Sequence, residues 1–265
     1  MATNIVSMRH GFSGTWLSLR FELLKHLKRR RLAILVALAT ILPLLPLIRT
    51  PDTALRFAGN SLSFMTVLII VSAAMFAGDA VCGEYEKKTS LFLFPTPQSR
   101  ASIFAGKYLA ALLCTFLVVA LWYVVLTLET LALYGWEEIP VEMWRSFMTA
   151  LLFSAAAVGI AFLISSALKR SISATILVFL ILMMVMPIVV MVMTLLESEP
   201  WFIVTYSANL ITTVLGTTSR LPMGPHGGEI ANQFTPTLGT GIAVMAAYAV
   251  ACLAAGMAIA VRKED

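Results

Sequence analysis

The sequence is poor in charged residues and in the residue types that build catalytic or metal centres. Charged residues make up 12% of its 265 positions, and it has only three cysteines and three histidines. Soluble domains carry about 25% charged residues, so this composition does not fit a soluble fold. The histidines and cysteines form no cluster, and we therefore predict no metal site, no intramembrane enzyme centre and no disulfide.

Two further motifs are missing. The sequence has no Gly-x-x-x-x-Gly-Lys-[Ser/Thr] phosphate loop, so we expect no ATP or other cofactor to be bound by this chain. It also has no soluble basic face for nucleic acid, although its net charge is +5. The excess basic residues lie beside apolar runs, where they would face anionic lipid headgroups.

What the sequence has in excess is apolar residues, at 59% of the chain with a mean hydropathy of +0.89. Six apolar runs stand out. They are Leu32–Ile48, Ser61–Val81, Tyr108–Tyr134, Ser146–Leu168, Ile172–Leu196 and Leu238–Val261. None alternates as a barrel strand does, and a helix needs about 20 residues to cross a bilayer. We therefore predict an all-α integral membrane protein with six transmembrane helices, the first bent or ended early by Pro43 and Pro46.

Basic residues give the orientation. Most of the 19 lie before the first run, between the second and third, between the fourth and fifth, and after the last. The positive-inside rule makes that side cytoplasmic, so we predict both termini inside the plasma (inner) membrane. The predicted domains are a cytoplasmic N-terminus at 1–31, a six-span domain at 32–261 and a cytoplasmic tail at 262–265. Aromatic rings would mark the outer interface at Tyr134, Trp136, Trp144 and Trp201.

The N-terminal segment predicts a helix lying in the inner membrane interface. Apolar residues recur at helical spacing, and basic residues lie off that stripe. The stripe consists of Phe12, Trp16, Leu19, Leu23 and Leu27. A plain membrane anchor with no further role explains the pattern equally well.

A cytoplasmic segment at 82–107 separates the second and third runs. Residues Glu84 to Phe94 are charged and then apolar, which fits a short amphipathic helix that Pro95 and Pro97 would end. Such a helix could present a partly apolar surface to a cytoplasmic partner. A solvated linker whose Lys87 and Lys88 only enforce topology is the alternative reading of the residues alone.

This segment resembles the signature of the ATP-binding-cassette (ABC) type-2 permease family, which reads Glu-x-Glu-x-Gly-Thr, an apolar run, Thr-Pro-x-Ser-Arg and then Gly-Lys before the third span. Lys88 stands where the family usually has glycine. The matching residues are Glu84, Glu86, Thr89, Thr96, Pro97, Ser99, Arg100, Gly106 and Lys107.

The resemblance implies a permease subunit of an ABC exporter, with a coupling helix between spans two and three and short re-entrant helices in the outer segment at 197–237. It implies two copies of a separate ATPase that carries ATP and Mg, a second and identical permease copy, and surrounding membrane lipids, but no nucleic acid. Residues implied to couple the permease to the ATPase are Glu84, Glu86, Thr89, Leu91, Phe92, Phe94, Pro97 and Arg100. Nothing in the sequence indicates the substrate.

Two acidic residues fall within or beside the apolar runs. Asp79 lies near the inner end of the second and Glu129 near the outer end of the third. Intramembrane charges are costly and often functional, but both are shallow, so we predict helix ending or packing roles rather than a proton relay. A stand-alone secondary carrier and a non-transporting membrane assembly protein remain the alternative functions.

Overall fold

The computed structural model describes residues 2–86, 98–136, 140–216 and 234–262, and this part of the chain is all-helical. Six of its helices are long and apolar enough to cross a membrane, which confirms the predicted number. We call them spans one to six. They are Arg30–Ile48, Ala54–Glu86, Arg100–Tyr134, Glu142–Ala167, Ser171–Leu195 and Leu238–Arg262.

Spans four, five and six agree with the predicted runs to within a few residues, but spans two and three begin earlier than predicted. Span two starts at Ala54 rather than Ser61 because its first two turns are amphipathic. Phe57 and Ala58 are buried there while Arg56 and Asn60 are exposed, which lowers the local hydropathy. Span three starts at Arg100 for a similar reason, since its first turns include two basic residues.

Span one changes helix type where its prolines begin. The α-helix ends at Ile41, and residues Leu42–Arg49 continue as a 3₁₀-helix that contains Pro43 and Pro46. Proline has no N–H to donate and its ring clashes with the preceding turn, so the α-helical ladder cannot continue. The prediction that this helix would bend or stop early is confirmed.

Spans two and five are interrupted. Span two consists of Ala54–Leu62, Met65–Ala77 and Cys82–Glu86, with short breaks between them. Span five contains a π-helical turn at Ile181–Val185, which ends two residues before Pro187. A π-turn accommodates an irregularity in the hydrogen-bond ladder, and proline is a common cause of one.

The core lies among spans two, three and four, in which half or more of the residues are buried, whereas span five is almost entirely exposed within this single chain. Span six packs closely on span four at glycine residues. A Cβ added at Gly256 would lie 2.8 Å from a ring carbon of Phe162 and 3.2 Å from Leu163 Cα. The two backbones can therefore approach closely only because glycine is there.

The N-terminal helix, Ala2–Lys28, lies against the beginning of span three. Its face towards the protein is partly polar and contains Leu19, Glu22 and His26. The predicted apolar stripe is therefore divided, because Leu19 faces the protein while Trp16 and Leu27 are exposed. The exposed large apolar residues of this helix are Trp16, Leu17, Phe21, Leu24 and Leu27.

Two short helices follow span five, Val204–Ser207 and Leu210–Thr213, and they pack against spans six and four. A chain of hydrogen bonds fixes the second one. Tyr123 and Ser146 share a hydrogen bond of 2.7 Å, and Ser146 Oγ also lies 2.6 Å from the carbonyl oxygen of Ile211. Hydroxyl groups of spans three and four thus hold this segment at the end of the bundle.

Candidate functional site

Charged side chains concentrate at one end of the bundle, which we call the charged end. It is formed by the second half of the N-terminal helix, the start of span one, the end of span two and the starts of spans three and five. These elements are distant in sequence but adjacent in space. The opposite end of the bundle we call the far end.

The centre of the charged end is the buried ammonium group of Lys107 in span three. Its Nζ atom lies 2.7 Å from Glu84 Oε1 of span two and also contacts Glu22 Oε1 of the N-terminal helix. Lys25 Nζ lies 3.1 Å from Glu22 and 3.3 Å from Glu84. We call these four residues the ion cluster. It connects three separate elements through two acids and two lysines.

Burial distinguishes the ion cluster from an ordinary surface salt bridge. Lys107 is 3% exposed, Glu22 6% and Glu84 9%. Surface pairs contribute little to stability, but a buried charge that loses its partner is strongly destabilising. The four charges must therefore be kept together, and with them the elements that carry them.

A glycine next to Lys107 explains how the N-terminal helix comes so close. A Cβ added at Gly106 would lie 2.6 Å from Ser18 Cβ and 2.9 Å from the backbone nitrogen of Leu19. Ser18 Oγ in turn donates a 3.1 Å hydrogen bond to the carbonyl oxygen of Ile103. Both residues of the Gly-Lys motif therefore serve the same contact. Gly106 allows the N-terminal helix to approach span three, and Lys107 forms ion pairs with Glu22 and Glu84.

Electrostatics favour the charged form of Glu22. Burial by itself would raise its pKa, but the ammonium groups of Lys107 and Lys25 outweigh burial and hold the pKa below its ordinary value. His26, one residue beyond Lys25, packs edge-on against the ring of Phe76 at 5.3 Å. Burial lowers the pKa of His26, so a neutral imidazole is favoured at this contact.

Asp79 forms a second charged contact at the same end. It lies in the break between two helices of span two, and its Oδ2 atom is 2.8 Å from Arg31 and 3.4 Å from Arg29. Arg31 also donates to the carbonyl oxygen of Met75 at 3.2 Å. These contacts join the start of span one to span two, and the predicted helix-ending or packing role of Asp79 stays a prediction.

Glu86 connects the same region to span five. Its Oε2 atom accepts a 2.7 Å hydrogen bond from the backbone N–H of Ser171, the first residue of that helix. The first N–H groups of a helix have no partner within it, and a carboxylate satisfies one of them favourably. Residues Glu84 and Glu86 together thus connect the end of span two to the N-terminal helix, span three and span five.

The predicted coupling residues fall into three groups. Glu84 is buried in the ion cluster, while Glu86 is exposed and bonded to span five. Arg100 is half-buried and is the first residue of the span-three helix, which Ser99 caps by accepting a hydrogen bond from the N–H of Ser102. Five residues lie outside the described part of the chain, namely Thr89, Leu91, Phe92, Phe94 and Pro97. Their coupling role, like that of the others, stays a prediction.

Glu129 is not part of the charged end. It lies near the far end of span three, 9% exposed, and neither of its carboxylate oxygens has a hydrogen-bond partner among the described residues. Its predicted packing role stays a prediction, and the sequence gave no sign that the carboxyl would be buried without a partner among the described residues.

Glu22, Lys25 and His26 were not among the predicted site residues, and Lys107 was predicted only as a motif position. A signal was present, since Glu22 is the only acidic residue before Asp52. Glu22, Lys25 and His26 are also spaced to lie on adjacent turns of one helix face. A single acid among many basic residues on a helix predicts a specific partner rather than a solvated surface.

The arrangement suits the joining of elements rather than catalysis. Within the described ranges, no three His, Cys, Asp or Glu residues come together to hold a metal ion. The carboxylates of the ion cluster are already occupied by ammonium groups. What the site can do is hold the end of span two rigidly to three other elements.

Fold and site together define a multi-pass, all-helical membrane protein whose helices are joined at one end by buried ion pairs. Residues 44–265 match the family model described as "Protein of unknown function (DUF2705)", and the chain belongs to this family. No curated protein matches the chain.

Proposed function

We propose that this chain is the transmembrane permease subunit of an ABC exporter of the type-2 family. It would form the substrate path as a pair of identical copies and work with two copies of a separate ATPase subunit that binds ATP and Mg. The proposal starts from the resemblance of residues 84–107 to the family signature. The absence of a phosphate loop from the sequence agrees with ATP binding and hydrolysis by a separate subunit.

The observation that carries the proposal is the bonding of the segment's first residues. Glu84 pairs with Lys107 and Lys25, and Glu86 accepts a hydrogen bond from Ser171. A linker that only spaced two helices would need none of these bonds. A segment that must transmit movement needs all of them, because force applied to it has to reach the spans.

In the proposed mechanism the ATPase binds the part of the segment that follows Glu86. Closure of the ATPase on ATP would move this part, and the ion cluster would pass the movement to the N-terminal helix and span three. The hydrogen bond at Ser171 would pass it to span five. The path between the two permease copies would then open to the other side of the membrane.

The charged end would face the cytoplasm, with both termini on that side of the plasma membrane. The exposed apolar face of the N-terminal helix, which also carries Arg20 and Lys28, would lie in the inner interface. At the far end, Val204–Ser207 and Leu210–Thr213 would serve as the short re-entrant helices that the resemblance implies. Trp136, Trp144 and Trp201 are exposed and suit the outer interface.

The test is capture of the tagged chain from native membranes with its ATPase, followed by reconstitution and measurement of ATP hydrolysis. A separate nucleotide-binding subunit should co-purify with the chain, and its ATP hydrolysis should change when the permease is present. Glu86→Lys should abolish this effect without reducing membrane insertion, because Glu86 is exposed and not part of the buried ion cluster. Glu197→Lys, at an exposed acid of the far end, is the matched control.

Two results would contradict the proposal. One is a purified chain that moves solute without any ATPase, which would favour a secondary carrier. The other is a captured complex that contains no nucleotide-binding subunit, which would favour an assembly protein.

A further inference from the structure

A groove lies between the last turns of spans four and six, and the coupling mechanism proposed above does not use it. Its volume is about 370 Å³, within the range of roughly 300–1,000 Å³ that is usual for small-molecule sites. Apart from one buried serine, the residues that line it are exposed, so the groove opens to the surroundings of the bundle. The lining residues are Ser166 and Ala167 of span four and Ala258, Ile259 and Arg262 of span six.

The groove lies at the charged end of the bundle. Gly159 of span four lies beside Ala249 of span six, and further along Gly256 of span six lies beside Leu163 of span four. Both spans therefore run in the same direction. Span four ends shortly before span five begins at Ser171, which belongs to the charged end. Span six consequently ends there as well, and the groove is at the membrane surface on that side.

The basic residues beside the groove differ from those of the ion cluster, because they have no acidic partner. Arg262 forms no ion pair with any described residue. Lys169 and Arg170 are exposed, and the same is true of them within the described ranges. They follow the lining residue Ala167 within about 11 Å of extended chain. Three uncompensated positive charges therefore lie at or near the groove.

Negative groups in this region do not cancel the three positive charges. The carbonyl ends of spans four and six each carry about −0.5 elementary charge. Glu86 reaches this region from span two, and its carboxylate is bonded to the N–H of Ser171. These groups amount to about two negative charges, so the groove keeps an excess of positive charge and attracts an anion.

We propose that this groove binds an anionic phospholipid, with the phosphate at Arg262 and an acyl chain against Ala258 and Ile259. A guanidinium group can donate two parallel hydrogen bonds to a phosphate. Basic pockets between transmembrane helices are sites for anionic headgroups, and the apolar wall gives an acyl chain a surface that a soluble anion would not use. The inference needs a bilayer around the six spans, but it does not rest on the proposed transport function.

The experiment titrates the purified full-length chain, freed of native lipid in a non-ionic detergent, with phosphatidylglycerol, phosphatidylcholine or glycerol 3-phosphate. Native mass spectrometry counts the molecules bound to each chain. We expect one phosphatidylglycerol to bind saturably, at least about fivefold more tightly than the zwitterionic phosphatidylcholine, which is the effect of one net positive charge at an anionic membrane surface. Added salt should weaken this preference, because exposed charges are screened. Glycerol 3-phosphate lacks acyl chains and should not bind at the same concentrations.

Variants locate the lipid. Arg262→Gln should weaken phosphatidylglycerol binding about fivefold and remove the preference over phosphatidylcholine. Arg30→Gln changes another exposed arginine of the charged end that has no ion-pair partner in the described structure, and it should bind as the unchanged protein does. Ala258→Leu should fill the groove and weaken binding several-fold without changing charge. Ala255→Leu, at an exposed alanine of span six that does not line the groove, is its control.

Four results would overturn the inference. They are the absence of saturable lipid binding, equal affinity for the two lipids, binding of glycerol 3-phosphate as tightly as phosphatidylglycerol, and equal effects of Arg262→Gln and Arg30→Gln. The third would indicate a site for soluble anions, and the fourth would indicate attraction by the charged end as a whole. The comparison of headgroups uses the unchanged protein, so it remains decisive even if a variant fails to fold.

Discussion

Lys107 shows how a single side chain can hold several elements in place. Its ammonium group contacts acids from two elements that are 62 positions apart in sequence, Glu22 and Glu84. Lys107 is the more deeply buried of the two lysines that pair with these acids, and an ionised carboxylate needs such a partner when it leaves water. The ion cluster is stable only while all four charges are present, because each charge offsets the free-energy cost of burying the others.

We expect Lys107→Met to destabilise the protein by about 3–5 kcal/mol, the range for breaking a buried ion pair by removal of one partner. Methionine keeps most of the volume, so the loss reports charge rather than packing. The midpoint of thermal unfolding in detergent measures it. Lys169→Met removes an exposed lysine and should leave the midpoint unchanged. Adding Glu84→Gln to Lys107→Met should recover part of the loss, and a fully additive double variant would contradict a coupled cluster.

At the scale of elements, the N-terminal helix is the part whose position was least evident from sequence. Its helical form was predicted from apolar spacing, and the structure has a helix at Ala2–Lys28. The face that docks could not be read from hydropathy, because Glu22 and His26 are polar residues that become buried. A hydropathy scale gives each residue type a fixed free-energy cost of transfer into lipid. It therefore does not show that the ion pair with Lys107 of span three offsets this cost for Glu22. The span boundaries at Ala54 and Arg100 were missed because polar and basic residues in the first turns lower the local hydropathy.

Close contact between the N-terminal helix and span three depends on Gly106. A leucine there would place atoms against Ser18 and the backbone of Leu19, which cannot move without displacing the helix. We therefore expect Gly106→Leu to loosen the N-terminal helix while spans two to six remain folded. A cysteine placed at Leu19, which is 9% exposed, reports the change. Its labelling by a water-soluble maleimide should be slow in the parent protein and several-fold faster with Gly106→Leu.

The control for this experiment is Gly239→Leu, because a Cβ at Gly239 meets no atom within 4 Å. The native cysteines are replaced in all variants, so that only position 19 reacts. Equal labelling rates with and without Gly106→Leu would mean that the helix does not dock through this contact.

For the whole molecule, the number of spans was predictable and the connections between them were not. Six apolar runs are a property of composition along the chain, and the bilayer sets their length. The ion cluster depends on which spans become neighbours, and no local pattern specifies that for Glu22, Glu84 and Lys107. The far end illustrates the same limit, since no local pattern indicates that the Glu129 carboxyl has no hydrogen-bond partner among the described residues.

Orientation is the remaining whole-molecule prediction, and it follows from the distribution of basic residues. If the charged end faces the cytoplasm, cysteines that replace Trp136 or Trp201 should react with a membrane-impermeant maleimide in intact cells. Both tryptophans are exposed near the far end, at 76% and 58%. A cysteine at Lys169, exposed between spans four and five, should react only after the cells are permeabilised. The basic side chains that would have to cross to the outside in the reverse topology make that orientation unfavourable. Labelling of position 169 but not of positions 136 and 201 in intact cells would reverse the orientation, and an ATPase in the cytoplasm could then no longer reach Glu86.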